Sequence, residues 1–152
     1  MKPIKKFDEF IESGVVKKQS PNRSRAEFLI KESGRSYSLL LKQIDKMEVN
    51  EENANNYLKD CYDILMEVIR AKMLIEGFNA SGFGAHEAEV SYLRILGFKE
   101  IDVQFIDQMR FFRNGIVYYG TALHKEYAEK VIEFTKNIYA RLRKLIHNDL
   151  GD

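Results

Sequence analysis

Apolar residues recur at intervals of three and four along most of the chain, and no alternating apolar and polar run lies between turn residues. That pattern predicts helices throughout and no strand. A short helix is expected over residues 4–12, stopped by Ser13-Gly14 and followed by the polar connector KKQSPNRS. The first long helix starts after it, capped either by Ser20 with Pro21 in the first turn or by the capping box Ser24-Arg25-Ala26-Glu27. Its expected core stripe is Phe28, Ile30, Tyr37, Leu40, Leu41, Ile44 and Met47, continuing through Gly34. Asn50, with Glu51 and Glu52 where the helix dipole favours acids, opens a second long helix to about residue 76. Tyr57, Cys61, Ile64, Leu65, Val68 and Ile75 form its stripe, and the pair reads as an antiparallel hairpin.

The run GFNASGFG, residues 77–84, interrupts the periodicity. A shorter helix with Val90, Leu93 and Leu96 on one side follows and ends at Gly97. Another runs from about residue 101 to a turn near Gly120, and a last amphipathic helix spans about 125–147, with Ala128, Val131, Phe134, Ile138, Leu142 and Leu145 inward. The expected fold is all-α: an antiparallel up-down bundle of four main helices with additional short ones. One domain covers residues 1–152, with 1–20 as an N-terminal extension and 25–146 as the core bundle.

Composition narrows the function classes. A chain of 152 residues with 45% hydrophobic content is large enough for one core without disulfide or metal support. The lone Cys61 lies in an apolar stripe, which points to a buried thiol and a reducing, cytoplasmic setting. No export signal and no membrane span is expected, since no segment approaches about 18 uninterrupted apolar residues. With 24 basic and 23 acidic residues the net charge is only +1, so any attraction for nucleic acid must be local. Basic clusters at Lys2/Lys5/Lys6, Lys17/Lys18/Arg23/Arg25 and Arg141/Arg143/Lys144 read first as solvated helix faces and ends.

Three features bear on chemistry. The glycine-rich loop follows a helix and lacks the Gly-Lys-Ser/Thr of a P-loop, so it reads as a connector. His86 with Glu87 and Glu89 lacks the paired histidines of a zinc helix, so no metal or cofactor is expected, and His86 is read as bonding a nearby carbonyl or carboxylate. The third is RFFRNGIVYYG, residues 110–120. On a helix Arg110, Asn114 and Tyr118 fall on one face with Arg113 and Val117 alongside, next to a core stripe of Ile106, Met109, Phe112, Ile116 and Tyr119. The arginines either pair with carboxylates of a neighbouring helix or subunit, or offer planar donor forks to phosphate.

Arg113-Asn114, in the penultimate long helix of a small helical chain and followed by VYYG, resembles the signature region of HEPN domains, and the resemblance covers roughly residues 25–146. It implies a helical homodimer whose motif residues face one cleft. Active members cut RNA without a metal ion, while others bind RNA or nucleotides or partner a small nucleotidyltransferase in toxin–antitoxin pairs. By the same resemblance Arg113 would contact phosphate and Asn114 would orient the scissile group. Tyr118 stands where the motif histidine belongs, with Tyr119 and Gly120 at the alternative spacings, and His124 falls out of register. A phenol, with an ordinary pKa of about 10, is a poor general base near neutrality. The implied function is RNA or nucleotide binding by Arg110, Arg113, Asn114, Tyr118 and Tyr119, with nuclease activity weak or absent. The alternatives are a metal-independent endoribonuclease using Arg113, Asn114, Tyr118 or His86, and an interaction subunit for a nucleotidyltransferase.

Overall fold

The computed structural model describes residues 2–120 and 122–150, and at 117–119 the backbone alone. The chain is mostly helical, as its apolar periodicity predicts. In order it forms α1 (Phe7–Glu12), β1 (Val16–Lys18), α2 (Arg23–Lys46), α3 (Ala54–Glu76), β2 (Phe78–Ala80), α4 (Ala85–Ile95), α5 (Glu100–Tyr119) and α6 (Lys125–Leu150). No described helix is long and apolar enough to cross a membrane.

α3 is the central element, packing on α2, α4, α5 and α6. Its expected stripe is buried except for the partly buried Ile75, and Leu58, Tyr62, Met66, Ile69 and Met73 are buried too. A helix that is apolar nearly all round belongs inside a core, and truncating one of its leucines to alanine costs about 2–5 kcal/mol. Asn50 and Asn53 set its start. The Asn50 side chain accepts from the backbone N–H groups of Glu52 and Asn53, and the Asn53 side chain accepts from that of Asn50. Asn50 therefore caps the turn before α3.

Three expectations are corrected. First, there is a sheet: β1 and β2 pair antiparallel, with Val16 opposite Ala80 and Lys18 opposite Phe78. The connector expected to be irregular thus crosses the end of α3, where Gln19 N–H donates to the Gly77 carbonyl at 2.8 Å. Gly77 has φ +85°, and a Cβ there would lie 2.6 Å from the Gln19 carbonyl oxygen, so only glycine fits this crossing. Second, the α2 cap is Asn22, whose side chain accepts from Arg25 N–H at 3.2 Å, rather than Ser20 or Ser24. Third, the inner stripe of α2 is Ala26, Ile30, Ser33, Tyr37, Leu40 and Ile44, while Phe28, Leu41 and Met47 are exposed. Small Ala26 and Ser33 let α2 approach its neighbours, and the displaced large residues point to solvent.

Ile4, Phe7, Phe10 and Val16 join the same core as the long helices. The N-terminal segment is also held by Arg94, whose guanidinium donates to the Ile4 and Lys5 carbonyls and to Glu100.

Candidate functional site

α5 presents the singled-out arginines. Lys99 is extended ahead of it, Glu100 and Asp102 occupy its positive first turn, and Gly120, in the left-handed region, ends it. Val103, Ile106 and Met109 are fully buried, and Phe112 and Ile116 pack partly buried against the core. This orientation leaves Arg110, Arg113 and Asn114 half-buried at the margin of the core stripe. The side chains of Tyr118 and Tyr119 lie outside the described residues.

The two arginines differ in their surroundings. Arg110 Nε donates to the Asp107 carboxylate at 2.8 Å, and its Nη1 lies 3.8 Å from Glu87 on α4. Asp107 is 2% exposed, so this arginine neutralises a buried charge one turn behind it. Arg113 reaches instead to α3. Its Nη2 is 3.7 Å from Asp63, a long contact to a half-exposed carboxylate, and its guanidinium lies 5.9 Å from the centre of the Tyr62 ring. Its Nε is buried without a hydrogen-bond partner among the described residues.

Tyr62 and Asp63 bring a second helix into the site, and α4 brings a third. The His86 ring is 6.4 Å from that of Tyr62, and its Nδ1 is 3.8 Å from Glu89, the neighbouring carboxylate expected for it. Glu89 is itself clamped by Arg70 on α3 through bonds of 2.6 and 3.1 Å. This bidentate pair fixes the α4 register against α3 and sets where His86 stands. The glycine-rich loop is only partly irregular: after β2, Gly84 takes φ +88° and opens α4. Burial above all pushes the Tyr62 phenol up from its ordinary range, so at neutral pH it remains a protonated donor. Its hydroxyl is buried and has no partner among the described residues.

Arg113, Tyr62, Asp63 and His86 therefore form one constellation from α3, α4 and α5, while His124 stands apart, 89% exposed and 3.9 Å from Glu51. No group of three metal-ligating side chains occurs among the described residues. Tyr62, Asp63, Arg70, Glu89 and Asp107 are not marked as site residues by the sequence motif. A signal for part of this set does exist. Asp60, Asp63, Glu67 and Arg70 recur at three and four, a polar seam on an otherwise apolar helix.

Arg113 is a planar cation near the buried Tyr62 ring, and its outer nitrogen is paired only loosely with Asp63. A guanidinium held this way suits an incoming oxyanion. Comparisons of the chain with protein-family models, with curated proteins and with solved structures find no match.

Proposed function

We propose that this is a HEPN-like protein, an antiparallel four-helix bundle that binds RNA or a nucleotide at a cleft lined by Arg110, Arg113, Asn114 and Tyr118, with Tyr119 alongside. Two copies face each other across the cleft, and ribonuclease activity is weak or absent. The observation that carries the reading is the state of Arg113: partly exposed, loosely paired with Asp63, and with a buried Nε lacking a partner among the described residues. An arginine serving only the fold would be firmly paired with a carboxylate, as Arg110 and Arg70 are. Arg113 takes a phosphate oxygen, and Asn114 beside it orients the group.

The test is retention of a labelled mixed-sequence single-stranded RNA in EDTA, with light scattering for the dimer. Arg113→Ala should abolish retention while leaving the helical signal and melting temperature nearly unchanged. A large loss of fold would return Arg113 to a structural role.

The placement of His86 favours a second reading, a metal-independent endoribonuclease. An imidazole 6.4 Å from Tyr62, on the constellation that contains Arg113, can do the proton transfer that a tyrosine at position 118 does poorly. RNA cleavage in EDTA that is lost in both Arg113→Ala and His86→Ala would establish it. With neither binding nor cleavage, the interaction-subunit reading is tested by co-purification with a nucleotidyltransferase.

A further inference from the structure

We infer that the site has a second recognition element: Phe83 stacks on an unpaired base of a single-stranded RNA whose phosphate lies at Arg113. This rests on the reading of Arg113 as a phosphate contact and deepens it, because it names single-stranded RNA as the ligand.

Phe83 is 100% exposed, whereas the other exposed large hydrophobic side chains range from 37% to 75%. A phenyl ring so placed forgoes roughly 1.5–3 kcal/mol of burial, and nothing among the described residues covers it. It is nevertheless held in place. Gly82 and Gly84 on either side have φ +78° and +88°, and Ala85 N–H closes the turn onto the Gly82 carbonyl at 3.2 Å. Ser81 N–H bonds the Val15 carbonyl at 3.0 Å, anchoring the incoming strand. A backbone braced in this way need not be ordered on binding, which lowers the cost of presenting the ring.

The surroundings favour a nucleic acid over a protein partner. Phe83 borders a hollow of about 160 Å³ that Lys5 and Glu87 also line. Lys17 and Lys18 are exposed on β1, paired with the strand that leads into the Phe83 turn. Lys5 lines the hollow and Val15, which also lines it, precedes Lys17 by two residues, so parts of two basic clusters lie on the segments around the Phe83 turn. With Phe10 and Val15 as its apolar neighbours in the hollow and Lys5 at its edge, the ring matches the pairing of stacking surface and backbone-tracking charge used for single strands. Phe83 shares its hollow with Glu87, Glu87 lies 3.8 Å from Arg110, and Arg110 stands one turn before Arg113 on α5. Glu87 borders this track, and Arg110 bonds Asp107 more closely than it approaches Glu87. A duplex keeps its base faces stacked internally, so only an unpaired strand can use the ring.

The chain contains no tryptophan, so Phe83→Trp would place a single indole at the proposed stacking position. Titration with a short single-stranded RNA in EDTA should quench its emission, with the same midpoint as the anisotropy of the labelled RNA. Arg113→Ala in the Phe83→Trp background should remove both signals. Phe83→Ala should weaken binding by about 5- to 150-fold, the range for one base–aromatic stack, without lowering the melting temperature. The matching duplex and inorganic pyrophosphate should leave the emission unchanged. Arg113-dependent binding with unchanged emission and full affinity in Phe83→Ala overturns the stacking role while the phosphate site stands. Quenching that survives Arg113→Ala overturns the shared track, and absence of RNA binding in every variant overturns both readings.

Discussion

The guanidinium of Arg113 and the carboxylate of Asp63 lie 3.7 Å apart across α5 and α3, close enough to attract and too long for a good hydrogen bond. Asp63 therefore competes for the guanidinium with any incoming anion. An exposed ion pair of this kind is worth at most about 1 kcal/mol. Asp63→Asn should accordingly tighten single-stranded RNA binding by up to about fivefold, read by anisotropy at fixed salt. Weaker binding in Asp63→Asn would mean that the carboxylate positions Arg113 rather than competing for it.

Arg110 and Arg113 should separate in a stability measurement. Removing Arg110 strands the Asp107 carboxylate, 2% exposed, without its cation at 2.8 Å. Arg110→Ala should therefore cost about 2–3 kcal/mol in urea unfolding. Arg113→Ala removes a long contact to a half-exposed carboxylate and the approach to the Tyr62 ring, and should cost about 1 kcal/mol. Equal losses would mean that the two arginines have the same structural role.

How far the sequence reveals this arrangement depends on the residue. The helices follow from threes and fours of apolar residues and from Gly97 and Gly120 at ends, whereas Asn50, expected to cap α3, caps the turn before it and the helix starts after Asn53. β1 and β2 are three residues each, too short for a period of two to show, and they exist because the Gln19–Gly77 crossing brings them together. The inner face of α2 is hidden for another reason: Ala26 and Ser33 occupy it because of their size, while the more apolar Phe28 and Met47 face water. Arg113 and His86 stand out in the sequence by type and motif. Tyr62 and Asp63 join them only through the rotation of α3 about its axis, set by packing on α2, α4, α5 and α6 together, which no single stretch of sequence specifies.

The polar seam of α3 should make stability depend on pH. Burial above all pushes the carboxyls of Asp60, Asp63 and Glu67 above their ordinary range, and repulsion from Asp63 adds to this at Asp60 and Glu67. Each binds its proton more tightly folded than unfolded. The associated stability is therefore fully present below the ordinary carboxylate range and lost as pH rises through the raised values. Glu67→Gln should raise the melting temperature at pH 7 by about 2–4 °C, the effect of roughly 1 kcal/mol in a domain this size. The gain should vanish below about pH 4. Glu100 runs the other way: hydrogen bonds from Arg94 and Gln104 hold its carboxyl at about 2. Its contribution is present above the ordinary range and lost as pH falls through the lowered value, so Glu100→Gln should lower melting at pH 7 and have no effect in strong acid. Thermal melts across pH on both variants check the opposite signs.

Lys72 and Asp149 provide the test of how the end of α6 is held. Lys72 is only 8% exposed, and its ammonium donates to Glu76 at 3.0 Å and to the Asp149 carboxylate, while Arg23 donates to the Asp149 carbonyl at 3.1 Å. Removing either charge breaks the same contact, but the consequences differ. Asp149→Ala leaves a nearly buried ammonium with Glu76 alone, which should cost about 1–3 kcal/mol and raise amide exchange in the last turns of α6. Lys72→Met removes the buried charge itself and fills its path with a side chain of similar length, while Asp149, 27% exposed, can turn to water. It should cost less than Asp149→Ala, and the double variant should resemble Lys72→Met rather than the sum of the two. Additive losses would show that the ion pair does not couple the two residues, and that α6 is docked by its apolar stripe alone.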